Sequence, residues 1–243
     1  MEFIDVLTGL AVLLAVLCSF VISASVGLGG SLLMVPTIAL VVGPKEGVAL
    51  AALLLGMNNV FKVGAYRATI PWRRSVVVVV LTAVGAAIGA TALTRVPNRV
   101  VAVVVVASFA LTLVFERRQF RGPSSASLSP VLAFGAGATS GFSGTSGPLK
   151  GVAIRNLGLD RHHFVGAASL ASLAGDLTKT AVFTEASLLG TQVLVLGLCA
   201  LPLMLLGTTV GRHLNCSIGE KAFSIMFWSV ITGYSVRAFV ALF

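Results

Sequence analysis

Apolar residues run through this chain almost without interruption, and this continuity excludes most soluble folds. Hydrophobic residues make up 57% of the 243 positions and charged residues only 10%, whereas soluble domains average about 25% charged residues. A membrane-crossing helix needs about 20 apolar residues, so a chain of this length has room for roughly eight to ten crossings. We therefore predict an all-α integral membrane protein whose main partner is the lipid bilayer.

Turn residues divide the apolar sequence into ten predicted segments, five in each half. The polar stretch 116–127 (ERRQFRGPSSAS) is predicted to link an N-terminal repeat, 1–115, to a C-terminal repeat, 128–243, within a single transmembrane domain. The second segment of each half is short. The predicted segments are Phe3–Ala24, Ser31–Val42, Gly47–Ala65, Ser75–Leu93, Arg99–Phe115, Leu128–Ser140, Leu149–Leu157, His163–Phe183, Leu188–Val210 and Ile218–Leu242.

The two halves resemble each other when one is shifted by 117 positions. This shift places Asn59 on Asp176 and Lys62 on Lys179. The lysine match is informative because lysine is rare inside apolar segments. Since five segments is an odd number, the second half enters the membrane in the opposite sense, which predicts two inverted repeats.

Basic loop residues predict the orientation. Lysine and arginine residues in the loops and near the segment ends divide ten to four between the two sides, and the richer side includes the connector Arg67–Arg74. Cytoplasmic loops carry the excess of lysine and arginine, so this side is predicted to be cytoplasmic and both termini external. The net charge of +9 is thereby explained without a nucleic acid partner.

Each half also contains a run of glycine and hydroxyl residues that includes a proline. The runs are SVGLGGSLLMVP at Ser25–Pro36 and GFSGTSGPLK at Gly141–Lys150. Consecutive glycines favour unwound backbone, which is tolerated at membrane depth only where it is buried in protein or lines a cavity. Broken helices at corresponding positions of two repeats indicate the binding site of a secondary transporter.

After the loop charges are set aside, three lysines and one carboxylate remain at membrane depth: Lys62, Lys150, Lys179 and Asp176. A charge at the bilayer centre costs about 2.5–3.5 kcal/mol on insertion scales, so several together indicate a function. Lysines beside hydroxyl groups and free backbone N–H groups at helix starts would bind a small anion. The predicted substrate-binding residues are Gly29, Gly30, Ser31, Asn58, Asn59, Lys62, Gly144, Thr145, Ser146, Gly147 and Lys179.

The charged residues also have structural interpretations. Lys62 lies near the end of its segment, where its ammonium group could instead reach the membrane interface. Lys179 could be neutralised by Asp176, one helical turn earlier, and both would then be structural. The carboxylate of Asp176 could alternatively bind and release a proton during transport. The sequence leaves these alternatives open.

Other patterns point away from catalysis. The pairs Gly85-x-x-x-Gly89 and Gly207-x-x-x-Gly211 are assigned to close helix packing. The sequence contains no metal-ligand spacing, no dinucleotide fingerprint and no nucleophile elbow. We therefore expect no catalytic residues, no metal, no cofactor and no enzymatic activity.

Two short motifs carry a resemblance to a known family. The motifs GLGGS at 27–31, closing on Pro36, and GTSGP at 144–148 resemble the paired signatures of the TauE/SafE sulfite exporter family. The similarity covers nearly the whole chain, including the polar central linker. Many members carry a further glycine where this chain has Ser31. The resemblance implies a multi-pass carrier of the bacterial inner membrane that exports sulfite or a small organosulfonate.

The pattern and the resemblance together predict a secondary transporter that works by alternating access. A passive anion channel with the same lining is the alternative within transport. An intramembrane enzyme and a structural membrane protein are the alternatives from other classes. Proton coupling through Asp176 and assembly into a homo-oligomer are also left open.

Overall fold

The computed structural model describes residues 31–117, 126–146 and 149–213, with short helical stretches at 9–10, 13–14 and 16–21. Regular structure in these residues is helical throughout, and they contain no strand, which confirms the predicted all-α class. Residues 25–30 of the first glycine-rich run and the last predicted segment, Ile218–Leu242, lie outside the described residues.

Eight helices of the described region follow the predicted segments, and no boundary differs by more than three residues. Short 3-10 turns occupy Arg67–Thr69 and Ala126–Leu128. The helices are α1 (Ser31–Val42), α2 (Pro44–Tyr66), α3 (Trp72–Arg95), α4 (Asn98–Arg117), α5 (Ser129–Ser143), α6 (Leu149–Arg155), α7 (Arg161–Glu185) and α8 (Thr191–His213).

Local chemistry explains several helix ends. Helix α2 begins with Pro44, whose missing N–H is no loss in the first turn. Helix α7 is capped by Asp160, whose carboxylate accepts a hydrogen bond from the His163 backbone N–H at 2.9 Å. Helix α5 ends at Gly144, which has a φ of +79° and donates its N–H to the Ser140 carbonyl oxygen.

Helices α2 and α3 contain the two described stretches that are long and apolar enough to cross a membrane, Pro44–Gly64 and Trp72–Arg95. Helices α4 and α8 contain shorter apolar stretches, Asn98–Thr112 and Val193–Gly207. Many large apolar side chains of α3 and α8, such as Val80, Ile88 and Leu205, are exposed. Lipid chains solvate such a surface, because they are as apolar as leucine.

Helices α3 and α5 pack closely through reciprocal glycines. A Cβ atom at Gly85 would lie 2.2 Å from the Phe134 carbonyl oxygen, and one at Gly89 would lie 2.1 Å from the Ala138 carbonyl oxygen. Gly137 faces the Thr82 carbonyl in the same way. The packing assignment of Gly85 and Gly89 is therefore confirmed.

Gly207 of α8 packs against the helical stretch 16–21. A Cβ atom there would lie 2.9 Å from the Phe20 Cβ atom and 3.0 Å from the Leu17 carbonyl oxygen. This contact confirms the packing assignment of Gly207. The surroundings of Gly211 lie outside the described side chains.

Helices α2 and α7 begin on opposite sides of the bundle. Near the start of α2, Lys45 Nζ donates to the Thr94 carbonyl oxygen at the end of α3, over 3.0 Å. Near the start of α7, a Cβ atom at Gly166 would lie 2.7 Å from the Thr69 carbonyl oxygen, just before α3 begins. The two helices are therefore antiparallel.

The contact between Asn59 and Asp176 lies about midway between these two sides. Each residue stands 15 positions after the first residue of its helix, which is about 22 Å along a helix at 1.5 Å per residue. Twice that depth is close to the 40–45 Å thickness of a bilayer with its headgroups. Polar side chains from α2 and α7 therefore meet near the midplane.

Candidate functional site

A connected network of polar side chains lies where α2, α5 and α7 meet. Asn59 Nδ2 donates to Asp176 Oδ2 at 2.7 Å, and Lys179 Nζ lies 2.6 Å from Asp176 Oδ1. Lys179 also donates to Ser140 Oγ at 3.0 Å. Asp176 is 6% exposed and Lys179 only 1%. A buried carboxylate requires such partners, and both of its oxygens have one.

A cavity of about 80 Å³ lies beside this network. At about 10–15 Å³ per water molecule, it has room for roughly five to eight water molecules, which is enough for a small oxyanion. Its walls come from α1, α2, α5, α6, α7 and the loop between α5 and α6. The lining residues are Ser31, Leu55, Asn59, Lys62, Ser140, Gly144, Ser146, Lys150, Ser172 and Asp176.

Positive charge exceeds negative charge in this cavity. Asp176 is the one carboxylate among the described lining residues, and it is already paired with Lys179. Lys150 Nζ donates to the neutral Ser172 hydroxyl at 2.8 Å. Lys62 forms no ion pair or hydrogen bond within the described part of the chain. Two ammonium groups thus face the cavity without a carboxylate of their own, which favours an anionic ligand.

The structure brings five of the predicted residues together in the cavity wall. They are Ser31, Asn59, Lys62, Gly144 and Ser146. The residues come from both glycine-rich runs and from α2, so separate parts of the chain meet at one place. Lys62 is exposed, and because it lines the cavity, the cavity is open on that side.

Three other predicted residues do not line the cavity. Asn58 is half-buried on α2. Thr145 is buried, and its carbonyl oxygen accepts a hydrogen bond from Ser143 Oγ at 3.4 Å. Lys179 is held by Asp176 and Ser140. The predicted positions Gly29, Gly30 and Gly147 lie outside the described residues.

The sequence prediction missed four lining residues: Leu55, Ser140, Lys150 and Ser172. Lys150 was recognised as a charge at membrane depth but was not placed in the site. Helical spacing could have identified Ser172, because residues 172, 176 and 179 share one face of α7. Ser140 carried no comparable signal, since serine is common at such positions and its partner Lys179 comes from another helix.

A larger cavity of about 740 Å³ lies away from this network, at one end of the bundle. It is lined by the start of α3, including Arg73 and Arg74, and by the loop before α7, including Asp160 and His163. Arg73 and Arg74 therefore lie at the same end of the bundle as the start of α7. Among the described residues, no three His, Cys, Asp or Glu side chains lie together as metal ligands would.

Comparison with known proteins identifies the family. The family model described as "Sulfite exporter TauE/SafE" matches residues 11–238, nearly the full chain. Searches of curated proteins and of solved structures found no match. The resemblance predicted from the two glycine-rich motifs is confirmed. The match spans both halves of the chain and every helix that contributes to the polar cavity, and the protein belongs to the sulfite exporter TauE/SafE family.

Proposed function

We propose that the protein is a secondary transporter, and not an enzyme, that exports sulfite or a related small sulfur-containing oxyanion across the bacterial inner membrane. Family membership implies a membrane transporter of sulfur anions. The observation that carries the proposal for this chain is the small midplane cavity, lined by Lys62 and Lys150. The small volume favours sulfite over a bulkier organosulfonate.

The proposed binding mode uses charge from lysines and hydrogen bonds from hydroxyl groups. Lys62 and Lys150 attract the anion from two helices, and the Ser31, Ser146 and Ser172 hydroxyls face the same space. Anions bind most strongly where charge is combined with directed donors. Gly29, Gly30 and Gly147 are neighbours of Ser31 and Ser146 in sequence, and we propose that their backbone N–H groups complete the site. Lys179 acts through Asp176 in this proposal.

Alternating access between two inverted repeats is the proposed mechanism. Helices α2 and α7 correspond under the 117-residue shift, and they begin on opposite sides of the bundle. Each repeat also contains a glycine that contacts the other repeat. Gly85 meets Phe134 and Ala138, whereas Gly207 meets Leu17 and Val21.

The contacted positions are equivalent under this shift, because 17 and 21 become 134 and 138, whereas the two glycines are related by a slightly larger shift of 122. Each half thus packs a later helix against the first helix of the other half. This reciprocal packing supports a two-fold relation between the halves. Movement of one set of helices against the other would then open the cavity first to one side and then to the other.

Two sources of energy are compatible with export. The membrane potential drives an anion outward by about 2.3 kcal/mol per charge at 100 mV, and this requires no titrating group. Proton coupling would use Asp176, but its two oxygens already contact Asn59 and Lys179. We therefore propose that the potential is the main driving force.

Anion binding to the purified protein tests the proposal. A ligand that binds only the native state raises the apparent melting temperature in relation to its affinity. We expect sulfite to stabilise the wild type more than chloride, sulfate or sulfoacetate does. Lys62→Met should reduce this shift. Lys45→Met is the matched control, since Lys45 lies on the same helix and bonds to Thr94 outside the cavity.

Transport in proteoliposomes separates the carrier from a channel. Trans-side sulfite should accelerate uptake of labelled sulfite and produce saturable counterflow, which a passive channel does not. Absence of both binding and transport for every sulfur anion would contradict the proposed function. An unchanged stabilisation in Lys62→Met would remove Lys62 from the site.

A further inference from the structure

Two related pairs of residues at the midplane differ in one charge. On α2, Asn59 precedes Lys62 by three positions, and on α7, Asp176 precedes Lys179 by three positions. Residues at this spacing share a helix face. The pairs are equivalent under the 117-residue shift, yet the first pair has an amide where the second has a carboxylate.

This difference decides which lysine is compensated. The Asp176 carboxylate pairs with Lys179 on its own helix at 2.6 Å and accepts a hydrogen bond from Asn59 at 2.7 Å. The Asn59 amide is neutral, and it directs its N–H group to the carboxylate of the other helix. Lys62 therefore has no carboxylate at the equivalent position of its own helix, and it is the lysine of the two that lines the cavity.

We infer that Asn59 sets the charge of the cavity, leaving Lys62 and Lys150 uncompensated, so that the site selects doubly charged oxyanions over singly charged ones of the same size. This inference rests on the proposed anion transport. Asn59 thereby has a positioning role in selectivity. Asn59 does not need to touch the anion, because its neutral amide leaves Lys62 without a carboxylate partner.

The physical basis is the interaction of a ligand with two fixed charges that line the same small cavity. A singly charged anion leaves one of the two ammonium groups without a counter-charge. A doubly charged anion compensates both lysines. The Coulomb interaction is proportional to the charge of the ligand, so removal of one lysine should cost a dianion twice the binding free energy that it costs a monoanion. The fold-loss of affinity for the dianion should therefore be the square of the fold-loss for the monoanion.

Thiosulfate and methanesulfonate form a matched pair of probes. Each has a sulfonate group that bears one further heavy atom, and both stay ionised near neutral pH, so they differ mainly by one unit of charge. Calorimetry on the purified protein in detergent measures their affinities directly. We expect the wild type to bind thiosulfate at least about tenfold more tightly than methanesulfonate, a ratio well within the reach of calorimetry.

The test variant exchanges the amide and the carboxylate, Asn59→Asp with Asp176→Asn. The exchange keeps one carboxylate and one amide across the α2–α7 contact, but it places the carboxylate three positions before Lys62. The ratio of the two affinities should fall to about the square root of its wild-type value, because only Lys150 of the two cavity lysines then lacks a carboxylate partner. The control variant, Lys45→Met, removes a lysine of the same helix that bonds to Thr94 outside the cavity, so it should retain the wild-type ratio.

The outcomes separate this inference from the proposed function. A wild type that transports sulfite but binds both probes equally would overturn the inference alone, as would a wild-type ratio in the exchange variant. A wild type that neither binds nor transports any sulfur anion would overturn both proposals. If the exchange variant does not fold, Lys62→Met provides the test. Equal fold-losses of affinity for thiosulfate and methanesulfonate in this variant would contradict the charge argument.

Discussion

Asn59 and Asp176 are 117 positions apart in the sequence, and their side chains form a 2.7 Å hydrogen bond. The same interval relates Lys62 to Lys179 and the start of α2 to the start of α7. Where two halves are related by a two-fold axis, residues at equivalent positions can touch only near that axis. This bond would therefore mark the axis, and the cavity lies directly beside it.

The buried pair of Asp176 and Lys179 should be stabilising only as a unit. Removal of one partner leaves an uncompensated buried charge, so Asp176→Asn or Lys179→Met should each lower the free energy of unfolding by roughly 3–5 kcal/mol. The double variant should lose much less. Apparent melting temperatures of the four proteins form the double-mutant cycle. Additive losses would show that the two side chains do not interact.

Close packing of α3 on α5 should make Gly89 intolerant of a side chain. A Cβ atom at this position would lie 2.1 Å from the Ala138 carbonyl oxygen, so Gly89→Ala should cost about 1–3 kcal/mol or more through overpacking. Gly64→Ala is the matched control because a Cβ there meets nothing within 4 Å. It should be neutral or gain up to about 1 kcal/mol in helix propensity. Equal melting temperatures for the two variants would contradict the close approach.

The sequence predicted the helices better than the site, and the reason is physical. Segment ends depend on local signals such as Gly43-Pro44 and Asp160, which the printed sequence contains. Cavity lining depends on which helices meet, as the bond from Lys179 to Ser140 on α5 illustrates. No local pattern encodes that contact. The repeat shift matched Asn59 to Asp176, and the structure places these two side chains in contact, but the shift by itself did not predict that contact.

Gly144 has a left-handed backbone conformation, and it should be sensitive to substitution for two separate reasons. Its φ of +79° disfavours a side chain by about 1–2 kcal/mol, and a Cβ atom would lie 2.8 Å from a Val35 methyl group. Gly158 has a similar φ of +65° but open space around it. Gly158→Ala therefore measures the backbone cost alone.

We expect Gly144→Ala to lose more stability than Gly158→Ala, and also to impair sulfite binding, because Gly144 lines the cavity. Adding Val35→Ala should restore part of the stability of Gly144→Ala, since it removes the two methyl groups that the new Cβ meets. The three variants can be compared by thermal unfolding. No difference between the two alanine variants would show that contact with Val35 is unimportant.

Charge movement during transport should distinguish the role of Asp176. If its carboxylate is held by Asn59 and Lys179 throughout the cycle, it does not carry a proton, and sulfite export is electrogenic. A potential-sensitive dye in proteoliposomes should then report net charge movement. Asp176→Asn with Lys179→Met, which removes the carboxylate and its partner together, should transport with the wild-type dependence on pH. A proton flux that accompanies sulfite in the wild type and disappears in this variant would instead assign proton coupling to Asp176, because the variant retains the cavity lysines Lys62 and Lys150.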